Sequence, residues 1–257
     1  MAFIVHGILG SGRNILSFAN RLQKAAPAWK FVLVDLRNHG ASQNAPAGDD
    51  LDSVARDLIT LAEKVGHPKA IIAHSYGGKV AIRYAQMFPL AAIKLWILDT
   101  CPSQATINFE NPQDNVVLTV LEALKSATPP AKSRQETIKV LMRSGLSESV
   151  SMWLATNLKK TDHGLDWVFD RERIKAMIAD YYAFDAWPFF EDGGGEHQIH
   201  FVRGSESNRF TDDEIDRLAL LHQMGAIELH TLEGAGHWVH IDEPDVLLSW
   251  ILADLQG

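Results

Sequence analysis

The hexapeptide Ala73-His74-Ser75-Tyr76-Gly77-Gly78 sets a serine between an apolar run, Lys69-Ala-Ile-Ile-Ala73, and a helix-like run, Lys79-Val-Ala-Ile-Arg-Tyr-Ala-Gln-Met-Phe88. A serine on so sharp a strand-to-helix turn has its hydroxyl facing a cleft, as a nucleophile must, and the helix N-terminus favours developing negative charge. The turn demands small residues two positions before and two after the serine, here Ala73 and Gly77. Ala73 is a mild departure from the usual G-x-S-x-G form.

A serine hydroxyl is a weak nucleophile at neutral pH. It needs a base within hydrogen-bond reach and a third group to orient that base. The segment Gly234-Ala-Gly-His237-Trp-Val-His240 follows the last strand-like run, and its glycines suit a tight loop that returns an imidazole over a sheet. His237 is the expected base. His240, beside the final helix, reads as a packing or capping residue, and His67, His163, His197, His200, His222 and His230 read as surface or structural residues. A tetrahedral intermediate also needs donors aimed at its oxyanion, each worth about 3 kcal/mol. The stretch His6-Gly7-Ile8-Leu9-Gly10-Ser11 lies just after the first strand-like run. The backbone N–H of Ile8 and that of Tyr76, next after the nucleophile, are the expected pair.

Two loops could supply the acid behind the histidine. One begins Asp99-Thr-Cys-Pro102 after Leu95–Leu98; the other reads Gly204-Ser-Glu206-Ser207-Asn208 after Ile199–Arg203. Asp99 is preferred, although it could be no more than a turn-initiating aspartate. Glu206 is the rival, although it could be a solvated loop residue. Ser207 cannot carry the charge.

These residues need a scaffold, and the chain supplies alternating strand-like and helix-like runs. Strands are expected at Phe3–His6, Phe31–Asp35, Ala70–Ala73, Leu95–Asp99, Ile199–Arg203 and Ile227–Thr231. Helical spacing appears in Ile15–Leu22, Leu51–Val65, Lys79–Phe88, Thr211–Met224 and Pro244–Leu255. Such alternation implies a mostly parallel sheet covered by helices on both faces. The rhythm breaks between Pro102 and Phe190, where four amphipathic stripes and no convincing strand are found. The stripes are Val116/Val117/Val120/Leu121/Leu124, Ile138/Leu141/Met142, Trp153/Leu154/Leu158 and Ile174/Met177/Ile178/Tyr181. The expected organisation is a core of residues 1–101 and 191–257 with a helical cap, residues 102–190, lying as a lid over the serine. Gly193-Gly194-Gly195 is the expected joint where the insertion returns to the core.

Composition narrows the field. The chain has 257 residues, 46% of them hydrophobic, enough for one large α/β domain with a substantial core. A net charge of −8 with no basic stripe argues against nucleic-acid binding. No apolar run approaches the ~20 residues of a membrane span. The start passes directly into a strand with no visible signal peptide, and the single cysteine, Cys101, suits a reducing compartment, so a cytoplasmic location is expected. No metal-binding or nucleotide-binding motif stands out, and no cofactor is expected: His6–Ser11 lacks the G-K-[ST] ending of a phosphate loop.

Four motifs together resemble the α/β-hydrolase superfamily over nearly the whole chain: His6-Gly-Ile-Leu-Gly-Ser11, Asp35-Leu-Arg-Asn-His-Gly-Ala-Ser42, His74-Ser-Tyr-Gly-Gly-Lys79 and Gly234-Ala-Gly-His-Trp-Val-His240. The variants R-N-H-G, H-S-x-G-G-K and G-A-G-H-W-V-H are similar to an esterase subgroup that includes bacterial YbfF-type esterases and ABHD11-like proteins. The resemblance implies an α/β-hydrolase fold with about six strands here and a cap, and without the usual first antiparallel hairpin. It also implies an acid after the strand that follows the nucleophile helix, which supports Asp99, and a brace role for Arg37 and its neighbours beside the oxyanion loop.

The expected function is a serine carboxylic-ester hydrolase with a Ser75–His237–Asp99 triad and a covalent acyl-enzyme, acting on a small-molecule ester or thioester of small to medium acyl length. Leu9, Trp153 and Trp238 are the expected substrate contacts. Trp153, Trp167, Phe169, Trp187, Phe189 and Phe190 could line an acyl pocket or form the insertion's own core. The competing readings are a carbon–carbon bond hydrolase on the same triad and a non-enzymatic ligand-binding member of the fold.

Overall fold

A computed structural model describes residues 1–89, 93–112 and 115–256. Its strands are β1 (Ala2–Val5), β2 (Phe31–Val34), β3 (Ala70–His74), β4 (Lys94–Leu98), β5 (Leu158–Thr161), β6 (Gly164–Trp167), β7 (Gln198–Gly204) and β8 (Glu228–Leu232). Its helices are α1 (Gly12–Ala25), α2 (Leu51–Val65), α3 (Tyr76–Met87), α4 (Val116–Ser126), α5 (Arg134–Arg143), α6 (Glu148–Thr156), α7 (Arg171–Ala183), α8 (Trp187–Glu191), α9 (Asp212–Gln223), α10 (Val239–Asp242) and α11 (Pro244–Gln256).

Six strands form one sheet in the order β2-β1-β3-β4-β7-β8, every neighbouring pair parallel. Side chains alternate between its two faces, and both faces are apolar because helices cover both. Phe3, Val5, Ile71, Ala73, Leu95, Ile97, Ile199 and Phe201 join Val54 and Leu58 of α2 and Val80 of α3 in one buried cluster. Ala2, Ile4, Ala70, Ile72, Trp96, Leu98, Val202 and Leu232 join Ile15 and Leu22 of α1 and Leu247 and Ile251 of α11 in the other. Each such aliphatic side chain contributes about 1.5–3 kcal/mol when fully buried. The chain steps from β1 outward to β2 and then returns to place β3 on the other side of β1. In open parallel sheets that reversal opens a crevice at the C-terminal strand ends, where ligands bind.

Between β4 and β7 the four amphipathic stripes correspond to α4, α5, α6 and α7. The expectation of no strand there is corrected by an antiparallel hairpin, β5–β6, with Leu158 opposite Trp167. α6 stops at Thr156, so Leu158 belongs to the hairpin and not to the stripe of Trp153 and Leu154. The hairpin was silent because its first strand reads Leu-Lys-Lys-Thr with both lysines exposed, which lacks the β-branched alternation of a strand. Gly193, Gly194 and Gly195 all have positive φ between α8 and β7. The two readings of the aromatic residues divide. Trp167, Phe169, Trp187, Phe189 and Phe190 are buried in the cluster that also holds β3 and α3, whereas half-buried Trp153 faces a cavity. Among the described residues no helix is long and apolar enough to cross a membrane.

Candidate active site

Ser75 sits alone between the end of β3 and the start of α3, with φ 54° and ψ −118°. Three hydrogen bonds hold it there. Its N–H donates to the Leu98 carbonyl at 2.9 Å, and its carbonyl accepts from the Gly78 N–H at 2.8 Å and from Thr100 Oγ1 at 2.9 Å. The glycines are sterically required: a Cβ on Gly77 would lie 2.7 Å from the His6 carbonyl oxygen, and one on Gly78 only 2.0 Å from Thr100 Oγ1. Ala73 has room for its methyl, buried in the strand core between Val5 and Ile97.

Four non-glycine residues with positive φ occur among the described residues: Leu9, Asn38, Ser75 and Asp99, at 62°, 64°, 54° and 48°. They lie one apiece in the loops leaving β1, β2, β3 and β4. Each costs on the order of 1–3 kcal/mol, and such strain gathers where geometry serves a site.

Asp99 is fully buried at the end of β4, its N–H bonded to the Val202 carbonyl at 2.8 Å. Its Oδ2 lies 2.7 Å from His237 Nδ1 and accepts from Ser207 Oγ at 2.6 Å; its Oδ1 accepts from the Gly204 N–H at 3.0 Å. Burial pushes the Asp99 carboxyl up to about 6, against the pull of Ser207, Gly204 and the charges of Arg209 and Arg203. Burial, with Arg209 and His240 nearby, holds the His237 imidazole well below its ordinary value. At neutral pH the ring is therefore unprotonated. With Nδ1–H donated to the carboxylate, Nε2 keeps the free lone pair a base requires. Glu206 is exposed, and its backbone N–H bonds the Ala235 carbonyl at 2.9 Å. The carboxylate against His237 is that of Asp99.

The His237 loop is pinned by His74, whose Nε2–H donates to the His237 carbonyl at 2.8 Å. The His74 ring centroid stands 4.7 Å from that of His237 and 4.8 Å from that of His240. His240 is buried and lines the same cavity as His237, with its Nδ1 unpaired.

The loop after β1 packs directly on the elbow: a Cβ on Gly7 would stand 3.2 Å from the Ser75 Cβ. Two buried histidines brace it. His39 Nε2 accepts the Leu9 N–H at 3.0 Å while its Nδ1 donates to the Arg37 carbonyl at 2.8 Å. His6 Nε2 accepts the Leu36 N–H at 3.1 Å while its Nδ1 donates to the Gly7 carbonyl at 2.7 Å. Both rings need a lone pair in these roles, and burial lowers both, His39 to about 3. Arg37 is turned away, paired through Nε and Nη2 with Asp57 at 2.7 and 2.8 Å. Tyr76 is the first residue of α3, where an amide has no acceptor within its helix. Neither His6 nor His74 was singled out from sequence as a brace, and only their place inside the H-G and H-S motifs could have marked them. Ser207, set aside as an acid, donates to the Asp99 carboxylate.

Two cavities meet at Ser75, and Ile8 and His237 line both. One, of about 230 Å³, is largely apolar, with Leu9, Val116, Val120, Val150, Trp153 and Trp238 around it. The Trp153 and Trp238 rings are 5.9 Å apart. The other, of about 530 Å³, is the more polar of the two, with Tyr76, Ser103, Gln104, Asn115, Tyr182 and Thr211 among its walls. Residues of α4 and α6 thus line the same cavity as Ser75. Behind it, the fully buried Lys79 of α3 donates to the carbonyls of Ser103, Tyr181 and Phe184 at 2.8, 3.0 and 2.7 Å. Among the described residues no group of histidines, cysteines and acids could hold a metal.

The chain is 29% identical over 98% of its length to the sn-1-specific diacylglycerol lipase ABHD11 of Danio rerio, covering 77% of that protein. It is 26% identical over 96% of its length to esterase YbfF of Escherichia coli, covering 90% of it. A solved marine microorganism esterase superposes with a TM-score of 0.81 at 28% identity, over 98% of this chain and 94% of that one. The family model of the alpha/beta hydrolase family matches residues 2–250, and the chain belongs to that family.

Proposed function

We propose that the protein is a serine carboxylic-ester hydrolase in which Ser75 is the nucleophile, His237 the general base and Asp99 the acid that orients it. The observation that carries this reading is the buried Asp99 Oδ2–His237 Nδ1 contact of 2.7 Å beside the strained Ser75 elbow. Ser75 Oγ attacks the acyl carbon as its proton passes to His237 Nε2. The resulting oxyanion is held by the N–H groups of Ile8 and Tyr76. The imidazolium then gives its proton to the departing oxygen, the C–O bond breaks, and an acyl-Ser75 ester remains. Water attacks that ester, losing its proton to His237, and the acid leaves as Ser75 recovers its own proton. A thioester would follow the same steps with a thiol departing.

Residues 102–190 act as the cap in this reading, and Leu9, Trp153 and Trp238 contact the apolar part of a small to medium ester. The free Cys101 suits work in a reducing compartment such as the cytoplasm. Labelling with a fluorophosphonate tests the proposal: Ser75 should carry the adduct, and Ser75→Ala should abolish it. Folded wild-type protein that takes no label would exclude a serine hydrolase.

A further inference from the structure

The polar cavity contains a cation without a partner. Arg209, in the loop between β7 and α9, lines both cavities that meet at Ser75. Its Nε is fully buried with no hydrogen-bond partner, and among the described residues its guanidinium makes no ion pair. Other arginines of the molecule are bonded: Arg37 to Asp57, Arg83 to Asp52, Arg173 to Asp49. The two acids sharing the cavity are engaged elsewhere: Asp99 with His237, Ser207 and the Gly204 N–H, and Glu214 accepting from Cys101 Sγ at 3.1 Å, the Thr211 N–H at 2.8 Å and Thr211 Oγ1 at 3.0 Å. The charge of Arg209 reaches Asp99, His237, His74 and Tyr181. A guanidinium left with unmet donors in a cleft is built to accept a fork of two oxygens.

We infer that Arg209 recognises an anionic group, a carboxylate or phosphate, on the ester that Ser75 cleaves. This rests on the hydrolase reading for the reaction but not for the binding. The apolar cavity then takes the uncharged half of the substrate, and the polar cavity takes the half that bears the anion. Which half is the acyl group is decided by experiment.

Three esters of matched size separate the cases. Phenyl hexanoate is neutral, phenyl hydrogen adipate carries its carboxylate on the acyl side, and 4-(hexanoyloxy)benzoate carries it on the leaving group. The expected result is that the charged-to-neutral ratio of kcat/KM for one of the two acids falls about tenfold or more in Arg209→Met, with Arg209→Lys keeping part of it. The acid that responds identifies the side. If neither ratio moves by more than about twofold, the inference is wrong. Turnover of phenyl hexanoate by wild type reports on the hydrolase reading alone. Should it be absent, or should Arg209→Met not fold, calorimetric titration of wild type and Arg209→Lys with adipate and with phenyl phosphate decides. Wild type should bind one of them several-fold more tightly than the lysine variant, and no binding, or equal binding, overturns the inference.

Discussion

At the residue scale the site is a balance of buried ionisation against hydrogen bonds. Folding raises the Asp99 carboxyl from 3.8 to about 6. Between those values the native chain holds more protons than the unfolded one, so stability falls as pH rises through that window. The enzyme thus bears a charge that its fold disfavours. Asp99→Asn removes the charge and also the group that fixes the His237 tautomer. Ester turnover should drop by about 10⁴ while the melting temperature at pH 7.5 stays level or rises. A variant that melts well below wild type would show the carboxylate to be structural. Glu206→Gln, at an exposed position, should leave turnover within about twofold. Ser207→Ala deletes the 2.6 Å hydrogen bond that lowers the Asp99 carboxyl. Its carboxyl then rises above about 6, and the acid limb of the pH profile of kcat/KM should move upward. An unmoved limb would mean that Asp99 does not set it.

At the element scale, Lys79 ties α3 to the inserted segment. Its ammonium meets the carbonyls of Tyr181 and Phe184 at the C-terminal end of α7, where the helix dipole is negative, and the Ser103 carbonyl just beyond β4. Burial lowers it to about 8. Lys79→Met would leave three carbonyls without this donor, at a loss of about 2–4 kcal/mol in denaturant unfolding. The same variant should be cut by protease sooner within residues 102–190. Unchanged stability and digestion would remove the latch. The elements themselves were largely legible. Runs such as Ala70-Ile-Ile-Ala announce strands buried on both faces, and Leu51, Val54 and Leu58 announce one helix face. β5–β6 was not legible, because a two-stranded hairpin outside the main sheet needs little apolar alternation. The candidate site could be proposed from sequence where its residues sit in a local motif, as at Ser75 and His237. It was ambiguous where partners are distant: Asp99 and His237 are 138 residues apart, and only strand order brings β4 and the loop after β8 to one edge. The polar cavity and the lone cation of Arg209 were invisible, since pairing of a charge is a property of the folded chain.

At the scale of the whole molecule the question is whether core and insertion are one unit or two. The break in the strand–helix alternation from Pro102 to Phe190 underlies the expected cap of residues 102–190. Packing joins this segment to the core: Val80 and Ile97 of the core share one buried cluster with Leu118, Leu141, Leu154, Ile174 and Phe190 of the insertion. Polar ties cross the same boundary, with Ser11 Oγ donating to Asn157 Oδ1 at 2.9 Å and Asn14 Nδ2 to Thr156 Oγ1 at 2.9 Å. A unit that shares its core cannot melt alone without exposing the apolar face of the other, at roughly 25 cal/mol for each Å² uncovered. Heating should therefore give one transition, in which far-UV circular dichroism and tryptophan fluorescence coincide and the calorimetric and van't Hoff enthalpies agree. The tryptophans make this a fair test, because Trp153, Trp167 and Trp187 lie in the insertion while Trp29, Trp96, Trp238 and Trp250 lie outside it. An early fluorescence step with the far-UV signal of the sheet intact would show the insertion unfolding by itself. In the cap reading proposed above, that segment would then open by local melting; a single transition limits opening to small shifts of α4 and α6 about a core they cannot leave.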